Sequence, residues 1–179
     1  MADLDRRSFL THAAGAAAAM AIFPEILPGA VRMPQGPLPV GIIGYGRIGN
    51  EHADWIVKSG AANVAAVFDP TPQRRAIAES KGLRAVQDLD PILNDPRIPA
   101  VLISTPTSMH TDHTLRALRS GKHVMVEKPM TLMFSEAQLV AEEAHKHRRV
   151  LSVFHCRRWD IDYLTIKQAI KSGALGRVF

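Results

Sequence analysis

Cysteine is almost missing from this chain: Cys156 is the single one in 179 residues. One thiol cannot close an intramolecular disulfide. No cysteine stands with a histidine at the spacing of a structural zinc site, so no metal is expected. Aromatic residues make up only 6% and do not alternate with basic ones, which argues against a stacking platform for single-stranded nucleic acid. Runs of five or six like charges are also lacking. The formal net charge of +5 is scattered, and the cluster Lys146, Arg148 and Arg149 reads as a solvated helix end, so nucleic acid is not an expected partner. The eight histidines are dispersed, with no carboxylate pattern beside them, and fit core, surface or pocket positions. Internal repeats are absent. The longest apolar stretch, residues 13–23, is too short to cross a bilayer comfortably. What remains is 46% hydrophobic and 22% charged, the composition of a soluble globular chain long enough for one domain with its own core.

The first thirty residues read as an address and not as fold. Asp5-Arg6-Arg7-Ser8-Phe9-Leu10 resembles the twin-arginine export motif, and the Ala-rich apolar stretch follows it. Small residues suited to cleavage occur at Ala19-Met20-Ala21 and Pro28-Gly29-Ala30. A signal peptide over 1–30 is therefore expected, with the twin-arginine machinery as a partner and a periplasmic or otherwise exported location. That route carries folded proteins, so a tightly retained cofactor is expected as well. Residues 31–38, rich in Pro and Gly, read as a linker.

From residue 39 onward strand and helix patterns alternate. Continuous apolar runs predict strands over 40–43, 64–68, 100–104, 123–126 and 150–154. Amphipathic stretches predict helices over 48–58, 72–81, 108–120, 134–147 and 159–171, with a short piece around 89–93. Apolar runs without alternation belong to strands covered on both faces. The expected fold class is thus α/β, a doubly wound parallel sheet of Rossmann type over 39–155.

Gly44-Tyr45-Gly46-Arg47-Ile48-Gly49 directly follows the first of these strands and opens the first helix. Asp69 ends the second strand. A GxGxxG run alone is weak; between a strand and a helix, with an acid at the next strand end, it is a dinucleotide-binding fingerprint. Gly44 permits the turn, Gly46 lets a pyrophosphate approach the backbone, and Gly49 lets the helix pack close. The helix N-terminus, with Arg47 and Ile48, offers N–H groups to phosphate. Asp69 can accept both hydroxyls of an adenosine ribose, which favours NAD. Arg74 and Arg75 are near enough in sequence to weaken that preference, so NADP stays admissible.

Ligands of such sheets sit beyond the carboxyl ends of the strands. Thr105 and Pro106 with His110 after the third predicted strand, and Glu127-Lys128-Pro129 after the fourth, join the glycine turn there. Lys128 can hold a substrate oxygen and trade a proton. By spacing alone it can equally be a surface lysine paired with Glu127.

Together, Gly44–Gly49, Ser104-Thr105-Pro106, Gly121-Lys122-His123-Val124 and Glu127-Lys128-Pro129 resemble the glucose–fructose oxidoreductase / inositol dehydrogenase (Gfo/Idh/MocA) family. The resemblance runs from about residue 39 to the end. It implies an NAD(P)-dependent oxidoreductase acting on a sugar or polyol hydroxyl. It also implies that Lys128 is the catalytic lysine, that Thr105 and Pro106 line the cofactor, and that His110 lies near the nicotinamide. Residues 154–160 resemble the family's crossover into a second domain, and residues 175–178 the start of that domain's first strand. The second domain of the family supplies an Asp/His pair, covers the active site and mediates oligomerisation. With the last residue at 179, the chain is expected to be the N-terminal, nucleotide-binding part, with 156–179 a stub of the second domain. The competing expectation is a dinucleotide-binding module without turnover.

Overall fold

Ile42 and Ile43 are neighbours in sequence and both fully buried, yet they belong to different cores. Successive strand side chains point to opposite faces of a sheet, so this strand must be covered on both sides. The same split recurs at Ala66 and Val67 and at Leu102 and Ile103. Each such isoleucine removed from water contributes roughly 1.5–3 kcal/mol.

The computed structural model describes residues 36–178; the expected signal peptide and most of the linker lie outside the described residues. Among the described residues there are six strands: β1 (Leu38–Ile43), β2 (Ala62–Phe68), β3 (Ala85–Val86), β4 (Ala100–Ile103), β5 (His123–Val126) and β6 (Leu151–Val153). The helices are α1 (Arg47–Ser59), α2 (Pro72–Ser80), α3 (Asp90–Leu93), α4 (His110–Arg119), α5 (Phe134–Lys146) and α6 (Ile161–Lys171). All strand pairs are parallel, in the order β3-β2-β1-β4-β5-β6. The chain winds outward from β1 in one direction and then from β4 in the other. This reversal places a crevice beyond the carboxyl ends of β1 and β4, where ligands of doubly wound sheets bind.

The expected α/β Rossmann-type sheet is therefore the observed one. β1 begins two residues before its apolar run because Leu38 and Pro39 pair with Ala62 and Asn63. β3 was not expected: two residues are too few to show a pattern, and it exists because Val67 and Phe68 offer it an edge. Residues 175–178, expected to begin a strand, form no strand in the structure; a strand needs a neighbour to pair with, and none is described beside them. α6 buries no residue, and its Ile161 is 83% exposed.

Candidate functional site

At the end of β1 the backbone enters the glycine turn. Gly44 has φ +94°, a conformation that a side chain would strain, and its N–H donates to the Phe68 carbonyl at 2.8 Å. α1 starts at Arg47, and no side chain caps its N-terminus. A Cβ at Gly49 would land on the Gly44 carbonyl oxygen and 2.8 Å from Ser104 Oγ. Glycine there lets α1 lie against the turn, which Ser104 Oγ also holds by donating to the Gly44 carbonyl at 2.7 Å. Gly46 differs. Its φ of −71° suits any residue, and a Cβ would meet nothing nearer than the Arg74 guanidinium at 3.9 Å. The fold does not require glycine at 46, and the bare backbone beside an uncapped helix end is free for close approach. This cradle fits a dinucleotide pyrophosphate.

Two of the fingerprint side chains are placed differently from what their sequence positions imply. Tyr45 is 2% exposed and packs into the core with Ile42, Ala53 and Leu102, so its ring does not line the crevice. Burial raises its hydroxyl above the ordinary phenol range, and that hydroxyl donates to Asn50 Oδ1 at 3.1 Å. Arg47 is exposed and pairs with Glu51 one turn along α1. Asp69, 2% exposed, accepts the Tyr45 N–H at Oδ2 (2.8 Å) and the Thr71 N–H at Oδ1 (2.9 Å). It thus ties the glycine turn to the β2–α2 loop. Arg74 stands 3.4 Å from Oδ2, while Arg75 donates to the carbonyls of Asp69 and Pro70.

The other side of the crevice is built at the ends of β4 and β5. Ser104 N–H donates to the Ile43 carbonyl and Glu127 N–H to the Ile103 carbonyl, which carries the parallel ladder past the strands and lines up three loops. Glu127 is the hub. Its Oε1 accepts His52 Nε2 at 2.8 Å, with the two side chains only 4% and 13% exposed. Its Oε2 accepts the Lys128 N–H at 3.0 Å. Glu127 therefore pairs with His52 and orients the Lys128 backbone; the pairing of Lys128 with Glu127 left open by spacing is absent. The Lys128 side chain itself is exposed and makes no ion pair among the described residues. The Lys128–Pro129 peptide is cis.

His110, 1% exposed, braces the same loops. Its Nδ1 lies 2.8 Å from the Pro129 carbonyl oxygen and its Nε2 2.9 Å from that of Thr105. Both ring nitrogens face backbone, so His110 shapes the crevice from beneath and presents no nitrogen to it. Thr105 Oγ1 is 3.1 Å from His113 Nδ1, and burial pushes His113 below the ordinary imidazole range. Pro106 is exposed at the lip.

The sequence reading missed His52. It sits three residues after Gly49, on the same helix face, and the edge of its ring meets Trp55 and Phe154 at 5.2 and 4.6 Å between centroids. The spacing from Gly49 was the available signal. Its partner, 75 residues away, was not.

A doubly wound sheet whose first strand runs through a glycine turn into an uncapped helix, with an acid closing the second strand, defines a dinucleotide-binding domain. The GFO_IDH_MocA profile, described as an oxidoreductase family with an NAD-binding Rossmann fold, matches residues 38–155. The chain belongs to the Gfo/Idh/MocA oxidoreductase family and carries its NAD(P)-binding domain. It is 35% identical over 141 residues to scyllo-inositol 2-dehydrogenase (NADP(+)) IolW of Bacillus subtilis, covering 77% of this chain and 38% of that protein. It is 36% identical over 140 residues to scyllo-inositol 2-dehydrogenase (NAD(+)) of the same organism, covering 76% and 41%. Among solved structures, scyllo-inositol dehydrogenase from Lactobacillus casei with bound NAD(H) and scyllo-inositol superposes with TM-score 0.72 at 29% identity, over 78% of this chain and 42% of that one. The chain spans about two fifths of the length of the curated relatives it matches.

Proposed function

We propose that this chain is the dinucleotide-binding part of an NAD(P)-dependent oxidoreductase that acts on a sugar or polyol hydroxyl, with Lys128 as its catalytic residue. The observation that carries the reading is the hold on Lys128: Glu127 fixes its N–H at the end of β5, separated from the glycine turn of β1 only by β4. A dinucleotide held across the glycine turn would supply a nicotinamide able to accept a hydride at this edge. The chain's own contribution is positional and acid–base. The Gly44–Gly49 backbone and the α1 N-terminus hold the pyrophosphate. Asp69 accepts from the adenosine ribose, and Thr105 and Pro106 form the wall. Lys128 Nζ binds the substrate hydroxyl oxygen and moves its proton.

Polyol substrates are inferred from the relatives, two of which are named for scyllo-inositol. The test is reduction of NAD+ and NADP+ by the purified chain against a panel of inositols, sugars and sugar acids, followed by nicotinamide absorbance. Turnover that disappears in Lys128→Ala, with dinucleotide binding intact, would place Lys128 in the chemistry. Unchanged turnover in that variant would remove Lys128 from the chemistry. A second reading, dinucleotide binding without turnover, is favoured by the exposure of Lys128 and Pro129 to solvent, since excluding water is part of how such sites work. It predicts binding but no reduction with any member of the panel.

Export by the twin-arginine route is part of the proposal and rests on Asp5-Arg6-Arg7-Ser8-Phe9-Leu10. Fusing residues 1–33 to a reporter that must fold in the cytoplasm tests it. Export that stops when Arg6 and Arg7 are both changed to Lys is expected; export indifferent to that change would defeat it.

A further inference from the structure

We infer that His52 is a positioning residue for Lys128: by occupying the Glu127 carboxylate it keeps that group off the lysine ammonium and leaves the amine free for substrate. This rests on Lys128 as the catalytic residue proposed above and adds to it the side chain that keeps it available.

Glu127 and Lys128 are adjacent, carry opposite charges and would be expected to pair. They do not. Glu127 Oε1 accepts from His52 Nε2 at 2.8 Å, and Oε2 accepts from the Lys128 N–H at 3.0 Å. The carboxylate thus grips the Lys128 backbone while both of its oxygens are engaged away from the Lys128 ammonium. That ammonium makes no ion pair among the described residues, and the side chain stands exposed.

The contest for Oε1 is decided by preorganisation. The His52 side chain is 4% exposed, with its ring edge-on to Trp55 and to Phe154. Those two rings stack on each other at an interplanar angle of 28°. The imidazole is walled in, and its N–H stays aimed at Glu127. The Lys128 ammonium would have to give up water and the freedom of its flexible stem to fold back on the same oxygen. Without an N–H at position 52 the contest disappears. Oε1 is then a shielded carboxylate oxygen with no partner, a costly state, and the ammonium of the next residue supplies what is missing. An opposite charge at contact favours the charged form of an amine. A lysine so held neither binds a substrate oxygen nor takes its proton. The loop keeps its place in the exchange, because His110 Nδ1 still lies 2.8 Å from the Pro129 carbonyl oxygen.

The experiment measures how fast acetic anhydride acetylates the Lys128 amine in the full chain at one fixed pH, by mass mapping of peptides. The exposed Lys58 in the last turn of α1 is the internal reference. Only the uncharged amine reacts, so an ammonium held by a carboxylate is slowed. His52→Leu and His52→Phe both remove the N–H, and the second keeps a ring against Trp55 and Phe154. Each should slow Lys128 relative to Lys58 by about two- to fivefold, the range of a partly exposed ion pair. His52→Gln, which keeps a donor, should react like wild type. Combining His52→Leu with Glu127→Gln leaves no carboxylate to pair with and should restore at least the wild-type rate. A loop merely loosened by the substitution would instead expose Lys128 and quicken its reaction, in the double variant as in the single one. An unchanged or faster rate in the leucine and phenylalanine variants, or a slow rate that persists in the double variant, overturns the role of His52. Failure of both single variants to fold, read by circular dichroism, makes the histidine a structural requirement and overturns it as well. Acetylation needs neither dinucleotide nor substrate. Slowed acetylation in a protein whose turnover ignores Lys128→Ala would therefore overturn the catalytic reading while supporting the exchange of partners at Glu127.

Discussion

Gly46→Ala separates what the fold needs from what the ligand needs. Gly46 has φ −71° and ψ −164°, where alanine is unstrained. Its added methyl would find only the ends of the half-exposed Arg74 side chain, at 3.9 and 4.0 Å. Folding therefore loses no contact, and the stiffer unfolded chain would add about 0.4–1 kcal/mol of stability. For a bound dinucleotide the same methyl stands between the backbone and the pyrophosphate. Forcing an extra methyl into a close contact costs roughly 1–3 kcal/mol, which at about 1.4 kcal/mol per decade is roughly 5- to 150-fold in Kd. Gly49→Ala is the contrasting variant. Its methyl collides with the Gly44 carbonyl, which is backbone held in the ladder and cannot step aside, so stability itself should fall by about 1–3 kcal/mol or more. Urea unfolding and NADH titration of both variants give the comparison. Gly46→Ala that is stable and still binds NADH like wild type would refute the placement of the pyrophosphate. Gly46→Ala that loses stability as Gly49→Ala does would refute the geometry of the turn.

Removing His52 with His52→Leu leaves Glu127 shielded from solvent with only the Lys128 N–H as partner; a loss of about 1–3 kcal/mol is expected by urea denaturation, and a smaller one for His52→Gln, which keeps a donor. Burial holds His113 and His123 below the ordinary imidazole value of 6.5, so the unfolded chain takes up protons first as pH falls. Their contribution is complete above 6.5 and declines below it; the urea midpoint should drop between pH 7.5 and 5.5 (about one unit either side of that value), and a flat or rising midpoint would contradict it. At the opposite end of the sheet, hydrogen bonds from the Arg97 side chain and N–H, with Arg84 nearby, hold the Asp95 carboxyl well below its ordinary 3.8. Asp95→Asn should lower the melting temperature at neutral pH, and its deficit should shrink as pH falls below 3.8, where the unfolded chain takes up the proton before the folded one does; equal melting temperatures at pH 7 (about neutral) would show that the cluster does not contribute.

Much of the fold was legible because its signals are local. Apolar runs in β1, β2, β4 and β5 mark strands covered on both faces, and alternation with helical stretches of 9–13 residues leaves a parallel sheet as the consistent solution. The glycine turn was legible for the same reason: six adjacent residues carry it. β3 was not, because its two residues form a strand only when Val67 and Phe68 lie beside them. Tyr45 was assigned to the ligand by its place within the motif. Tertiary structure turned its ring into the core under α1, since an aromatic ring gains more from burial than from the rim of a polar crevice. His110 was placed near the nicotinamide by resemblance, and the packed loops took both of its nitrogens.

The sequence by itself determined a doubly wound α/β domain, a dinucleotide turn at Gly44–Gly49 and a lysine at the carboxyl edge of the sheet. These follow from periodicity and short motifs, which neighbouring residues define. Only the tertiary structure decided that Glu127 faces His52, that Asp69 clasps the glycine turn, and that Arg75 is tied to the Asp69 and Pro70 carbonyls while Arg74 reaches the Asp69 carboxylate. Each of those is settled by hydrogen bonds between loops brought together by the sheet, and such pairings leave no trace in the order of residues along the chain.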